Sequence, residues 1–480
     1  MTIGWDNAIA FVMIFGVLVF LHELGHFIVA KWSGVRVEIF SLGFGPRLFG
    51  WRTAQTDYRV SLVPLGGYVK MLGEDTEVEL VTDPQDGTED EARRRALSSG
   101  PAAPEDGEPE ARSPAPDAFS SKPRWQRLLV MIAGGLMNII LAVLIVAGMN
   151  MTGRQEPRFL HETPRIASIV EASPAARAGL TRGDRVLAVN GVPLAGWEAL
   201  QQQVLFSPGR TLVLRIDHEG IEKDVPVEVT LPPENAPQHR YQVGYIGLQE
   251  PAYDVRVARV SPGSAAEKAG LQPEDILLSI AGEPILTKED VARIISGRPG
   301  LPTEILLQRG GSRRPVTATP ANVDGRGLLG IQSGPTITVR QLALGEAILS
   351  SLEQNLARAR LFFTVVGKLL TGGLSVRAVS GPVDIFIFSG EALRRGWNAY
   401  FDLMALFSLQ LGILNLLPIP FLDGGHVAIL GLEGILRRDL PSSLKERLLQ
   451  AGFVGLLLLM GIVLYSDIAK NFDLFTRWLR

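Results

Sequence analysis

The sequence predicts a multi-pass α-helical membrane protein with four spanning helices, a small membrane-associated β-hairpin and two extracytoplasmic α+β domains. Three observations lead there. Four apolar runs, about residues 8–30, 128–151, 401–422 and 448–466, are each long enough to cross a bilayer as a helix. One pattern occurs twice between residues 158 and 332, bringing Gly179-Leu180 back as Gly270-Leu271. Hydrophobic residues make up 46% of the 480 and charged residues 20%, which fits membrane helices diluted by soluble parts.

The first run (domain 1–30) carries its ionisable groups in one place. From Ala8 to Ala30 they are His22, Glu23 and His26 alone, in the pattern His-Glu-x-x-His. On a helix this spacing sets two imidazoles on one face with a carboxylate beside them. The set suits a divalent metal, most often zinc, with Glu23 as the base that takes a proton from water. Ionisable groups are costly in a membrane and default to function. The N-terminus lacks a basic leader and a small-residue cleavage site, so the run reads as a retained helix.

Residues 31–73 turn polar and rich in β-formers. Asp57–Met71 reads as two short strands around Pro64-Leu-Gly-Gly67, a hairpin whose edge can pair with an extended peptide or simply pack. Residues 74–122 hold fourteen acidic and five basic residues with scarcely any large apolar ones, and read as a disordered insert. Domain 123–157 opens with a basic, aromatic flank and continues as the second spanning run. Asn138 is its one strongly polar side chain, read either as interhelical glue or as a contact to substrate backbone.

The repeat fills 158–247 and 248–332. Ser173-Pro-Ala-Ala-Arg-Ala-Gly-Leu-Thr-Arg-Gly-Asp184 returns as Ser264-Ala-Ala-Glu-Lys-Ala-Gly-Leu-Gln-Pro-Glu-Asp275, each followed by an aliphatic strand and a glycine turn. That length suits a small domain rather than a solenoid unit. Residues 333–400 have amphipathic helical spacing. Domain 401–426 holds Asn415-Leu-Leu-Pro-Ile-Pro-Phe-Leu-Asp-Gly-Gly-His426. Its two prolines break the helix and leave Asp423 available as a third metal ligand. Domain 427–480 contains a basic loop and the fourth run.

The chain contains no cysteine, so disulfides, thiolate ligands and a cysteine nucleophile are excluded. Nothing resembles a basic nucleic-acid stripe. Lys/Arg near helix ends concentrate in 31–127 and 427–447, which places those loops in the cytoplasm and the repeats outside, against three cations in the C-terminal tail.

Each repeat resembles a PDZ domain in the permuted order common in bacterial proteases. Gly244-Tyr-Ile-Gly-Leu248 and Gly327-Leu-Leu-Gly-Ile331 look like the glycine-containing edges of peptide grooves. With His-Glu-x-x-His in a first spanning helix and the Asn415–His426 motif in a later one, the chain resembles the site-2 protease family of intramembrane zinc metalloproteases. That resemblance implies Zn²⁺ held by His22, His26 and Asp423, with Glu23 as catalytic base. It implies that Asn415, Asn138, Gly66, Gly67 and Tyr68 meet the substrate. Gly134-Gly-Leu-Met-Asn138 resembles the family's second-helix pattern, with Gly135 where proline is frequent. The resemblance further implies a bacterial inner-membrane protein. It would cut single-span proteins of the anti-sigma-factor type after a first external cut, with leftover signal peptides a second substrate class and peptide tails at the PDZ domains. Two rival readings are a membrane-tethered zinc peptidase for soluble peptides and a non-catalytic PDZ scaffold. The presence of all four metal and base residues speaks against the scaffold.

Overall fold

The computed structural model describes residues 4–73, 115–234 and 236–478. Four of its helices are long and apolar enough to cross a membrane: Trp5–Trp32, Arg124–Thr152, Trp397–Leu416 and Ser442–Phe472. The chain divides into two units. One comprises Met1–Thr152, Leu342–Thr364 and Ser380–Arg480, the other Gly153–Gln341 and Val365–Val379. Most of the acidic insert, residues 74–114, lies outside the described residues.

The insert's last residues correct the expectation of disorder through Lys122. Phe119–Ser121 form a 3-10 turn, and the Phe119 N–H donates to the Leu72 carbonyl at 2.7 Å. The Phe119 ring is buried with Ala30, Val37, Met71 and Val130. Burying one such side chain contributes about 1.5–3 kcal/mol, enough to anchor a short polar segment whose average composition looks unfolded.

In the first unit, Ala10, Ile14 and Leu18 of the first helix meet Tyr400 and Met404 of the third, and the Tyr400 hydroxyl donates to the Ala10 carbonyl at 3.0 Å. The expected amphipathic connector is two helices, Leu344–Leu370 and Pro382–Arg395. The second of these is fastened through its N-terminal half. The buried Asn7 amide donates to the carbonyls of Phe386 and Ile387 at 3.2 Å. Asp467 accepts from the backbone N–H groups of Val383 at 2.7 Å and Asp384 at 3.1 Å, satisfying donors that a helix start leaves open. Lys470, counted by sequence among the tail cations, is 2% exposed and paired with Asp384 at 2.8 Å. The third apolar helix ends at Leu416, six residues before the expected Leu422, and a new helix, Asp423–Leu436, begins after the break.

The predicted hairpin is corrected: the two segments on either side of residues 64–67 do not pair with each other, because residues 37–42 lie between them and pair with both. Strands Val37–Arg52 and Asp57–Met71 both bend, so residues 37–42 pair with 67–71 on one flank and with 57–60 on the other, while 57–61 also pair with 47–52. The edges of this sheet are therefore 47–52 and 67–71.

The second unit holds the two repeats, each with its own core. Ile166, Val186, Leu214, Ile216 and Val227 lie in one core, and Val255, Leu277, Ile280, Ile305 and Leu307 in the other. Ser173 and Ser264 cap equivalent short helices by accepting from Ala176 N at 3.3 Å and Glu267 N at 3.2 Å. The repeats differ at one matched pair. Asp275 takes two hydrogen bonds from Arg309, at 2.6 and 2.7 Å. Asp184 accepts instead from His218 Nδ1 at 2.6 Å, and from the Thr181 N–H at 2.8 Å and hydroxyl at 2.9 Å. Burial alone pushes the Asp184 carboxyl up, but the bonds from His218 and Thr181 outweigh it and hold the group below the usual carboxylate range. A carboxyl depressed in the folded state adds stability above its unfolded pKa, about 3.9, and loses it as pH falls through the folded value. His218→Ala is therefore expected to lower hydrogen-exchange protection of strands Arg185–Val189 and Thr211–His218 at about pH 5, and the deficit should close as the pH approaches about 2.

Candidate metal centre

His22 and His26 stand one turn apart on the first helix and are both buried. Their Nε2 atoms are 3.3 Å apart. The helix restart after Leu422 brings Asp423 Oδ2 to 3.2 Å from His22 Nε2 and 3.3 Å from His26 Nε2. Two ligand atoms each 2.0–2.1 Å from a tetrahedral zinc lie about 3.3 Å apart, so the triangle has the edge length that ion requires. Asp423 Oδ2 is also buried with no hydrogen-bond donor among the described residues. A cation is the partner that atom lacks, and the two-His, one-Asp donor set fits zinc.

The second helix builds the wall behind the imidazoles. His26 Nδ1 donates to the Val130 carbonyl at 2.8 Å, which leaves Nε2 free to bind a metal. A Cβ on Gly134 would lie 2.2 Å from His26 Nε2 and 2.7 Å from His22 Cε1, so only glycine fits there. Its neighbour Gly135 faces the third helix instead. A Cβ there would lie 2.8 Å from Leu416 Cγ and 3.0 Å from the Gly412 carbonyl.

The Asp-Gly-Gly sequence has a steric reason. The segment after Leu416 folds back over the start of the new helix. A Cβ on Gly424 would lie 2.1 Å from the Leu417 carbonyl oxygen, and one on Gly425 2.4 Å from that of Ile419. Phe421 takes a left-handed φ of +83° in this break, a strained conformation for a bulky residue.

The remaining sequence-predicted residues divide. Gly67 lies against Glu23: a Cβ there would be 3.0 Å from Glu23 Cγ. Gly66 and Tyr68 meet Phe44 instead, Gly66 from beneath its ring and Tyr68 stacked at 6.3 Å. Asn138 Nδ2 is 3.4 Å from His22 Nδ1, and Asn415 Nδ2 lies 3.4 Å and 3.3 Å from the two nitrogens of the same ring. His426 stands outside the triangle. Sequence reasoning quoted Gly134 within the Gly134-Gly-Leu-Met-Asn138 pattern but gave it no role at the site, and it missed the Val130 carbonyl. The four-residue spacing from Gly134 to Asn138, one helical turn, was the available signal for the first.

A family model described as peptidase family M50 matches residues 10–459. The regulator of sigma-E protease RseP of Salmonella typhimurium is 31% identical over 490 residues, covering 98% of this chain and 100% of its own. RseP of Escherichia coli K12 is 30% identical, covering 97% and 99%. A Ralstonia nicotianae protein provisionally named as a zinc metalloprotease is 32% identical, covering 97% and 99%. Among solved structures, a PDZ domain of an SdrC-like Listeria monocytogenes protein matches 18% of this chain and 93% of its own at 19% identity, with a TM-score of 0.16.

Proposed function

The chain belongs to peptidase family M50 and is a zinc metalloprotease of the membrane, and on that premise we propose that it cuts single-span membrane proteins inside the bilayer. One observation carries the reading: the three candidate ligand atoms form a zinc-sized triangle, two of them on a helix long and apolar enough to cross a membrane. His22, His26 and Asp423 hold the metal. Zinc bound there supplies Lewis acidity, which polarises a carbonyl and brings the pKa of water to about 7. Glu23, next in sequence to His22, takes the proton from water and delivers it to the departing amine. Asn415, half-buried beside His22, is free to steady the substrate carbonyl.

A helical substrate hides its peptide bonds in its own hydrogen bonds and must unwind to be cut. The sheet edge 67–71 starts at Gly67, against Glu23, so a strand added there would run past the base, and its pairing offsets the cost of unwinding. The relatives named as regulators of sigma-E point to anti-sigma factors as the substrate class. The chain sits in the bacterial inner membrane, its two PDZ-like repeats outside, where they inspect proteins already trimmed by a first cut. The experiment compares wild type with Glu23→Gln and collects membrane proteins that persist only in the variant. Single-span proteins should accumulate, with turnover of an isolated substrate falling about 10²- to 10⁴-fold and bound zinc unchanged. Equal turnover in both strains would overturn the proposal.

A further inference from the structure

The buried Asn138 amide lies beside His22 with no part in the proposed reaction. Its side chain is 0% exposed and sits one turn beyond Gly134, on the same face of the second helix. As placed, Nδ2 points to His22 Nδ1 at 3.4 Å while Oδ1 has no hydrogen-bond partner among the described residues. Buried carboxamide oxygens without a donor are rare in folded proteins. The nitrogen and oxygen ends of an asparagine are nearly the same shape, so a half-turn of the amide exchanges them at no steric cost.

The chemistry of His22 says which end belongs there. Its Nε2 faces Asp423 Oδ2 at 3.2 Å and is the metal-binding atom. A neutral imidazole that lends Nε2 to a metal carries its proton on Nδ1, which then needs an acceptor. His26 has one in the Val130 carbonyl. His22 has two amides within reach. Asn415 lies almost equally far from both ring nitrogens, at 3.4 and 3.3 Å, and so along the hydrogen-bond direction of neither. Asn138 approaches Nδ1 alone.

We propose that Asn138 is a positioning residue for His22: its Oδ1 accepts the Nδ1 proton, fixes the tautomer and aims Nε2 at the metal. The backbone carbonyl of the same residue accepts from the buried Ser408 hydroxyl at 2.7 Å, which ties the Asn138 turn of the second helix to the third. The two asparagines thus separate in role, Asn415 toward the substrate and Asn138 toward the ligand behind it. The inference rests on the proposed metal site.

The test measures zinc affinity of the detergent-purified full chain by competition with a chelator. Asn138→Leu and Asn138→Ala remove the acceptor and should each weaken zinc binding about 10- to 100-fold, while Asn138→Asp keeps an acceptor and should stay within about 3-fold of wild type. The KM for a peptide substrate should hold in Asn138→Asp, and nitrogen NMR of His22 should show the Nδ1-protonated tautomer in wild type and Asn138→Asp. Full zinc affinity in Asn138→Ala overturns the inference, as does equal loss in Asn138→Asp and Asn138→Ala. A raised KM with unchanged zinc affinity also overturns it and returns Asn138 to the substrate. Failure of the wild-type chain to bind zinc at all would instead bring down the metal site itself.

Discussion

Gly134→Ala is expected to empty the metal centre while leaving the helices intact. The added methyl would stand 2.2 Å from His26 Nε2 and 2.7 Å from His22 Cε1, inside both rings. Neither ring has room to retreat, since His26 is tied to Val130 on the far side and both must converge on Asp423. The helix itself gains from the change, because alanine is favoured over glycine in a helix interior by about 1 kcal/mol. Loss of function with normal or raised helix content is therefore the signature. Zinc per chain, measured by mass spectrometry, should fall below about a tenth of wild type, with no loss of helical circular dichroism. Gly148 on the same helix has no atom within 4 Å of its added Cβ, so Gly148→Ala is the matched control and should keep full zinc and activity.

Asp423→Ala should weaken zinc binding by more than about 100-fold, since the loss of a group that merely orients a ligand already costs 10- to 100-fold. Activity should vanish with it. The carboxylate is the only negative ligand in the triangle, and Asp423 Oδ2 has no other partner to lose among the described residues. His426→Ala discriminates this geometry from the sequence motif alone. His426 lies three residues further along the same apolar helix but outside the triangle, and its removal should leave zinc content near wild type. Chelator competition on the purified variants checks both.

The triangle of His22, His26 and Asp423 was legible because ionisable side chains stand out against an apolar background, and because the His-Glu-x-x-His spacing is local. Asp423 was legible for a related reason: prolines at positions 418 and 420 announce a break, and an acidic residue at a break has few structural uses. What escaped was decided by distant parts of the chain. Gly134 stands in a pattern the resemblance singles out, but its place against both imidazoles shows only once the first helix is laid across it. Residues 37–42 become the middle of a sheet only because both flanks return to them, which alternation along one strand cannot reveal. The order at Phe119 escaped for the same reason: its pocket is formed by Val37, Met71 and Val130, from other segments. The tail cation Lys470 carried the opposite lesson. Its charge is spent on Asp384 within the fold, so counting it toward membrane orientation overstates that end.

The break between Leu416 and Asp423 gives the three metal-binding atoms unequal mechanical standing. The imidazoles are built into the middle of a 28-residue helix, and moving them would mean opening a stretch of backbone ladder in lipid. The carboxylate belongs to the first residue of the helix Asp423–Leu436, directly after six residues of non-helical chain, one of them, Phe421, held in a strained turn. The triangle therefore joins a continuous helix to a chain break, and its three atoms keep their spacing only while that break holds its shape.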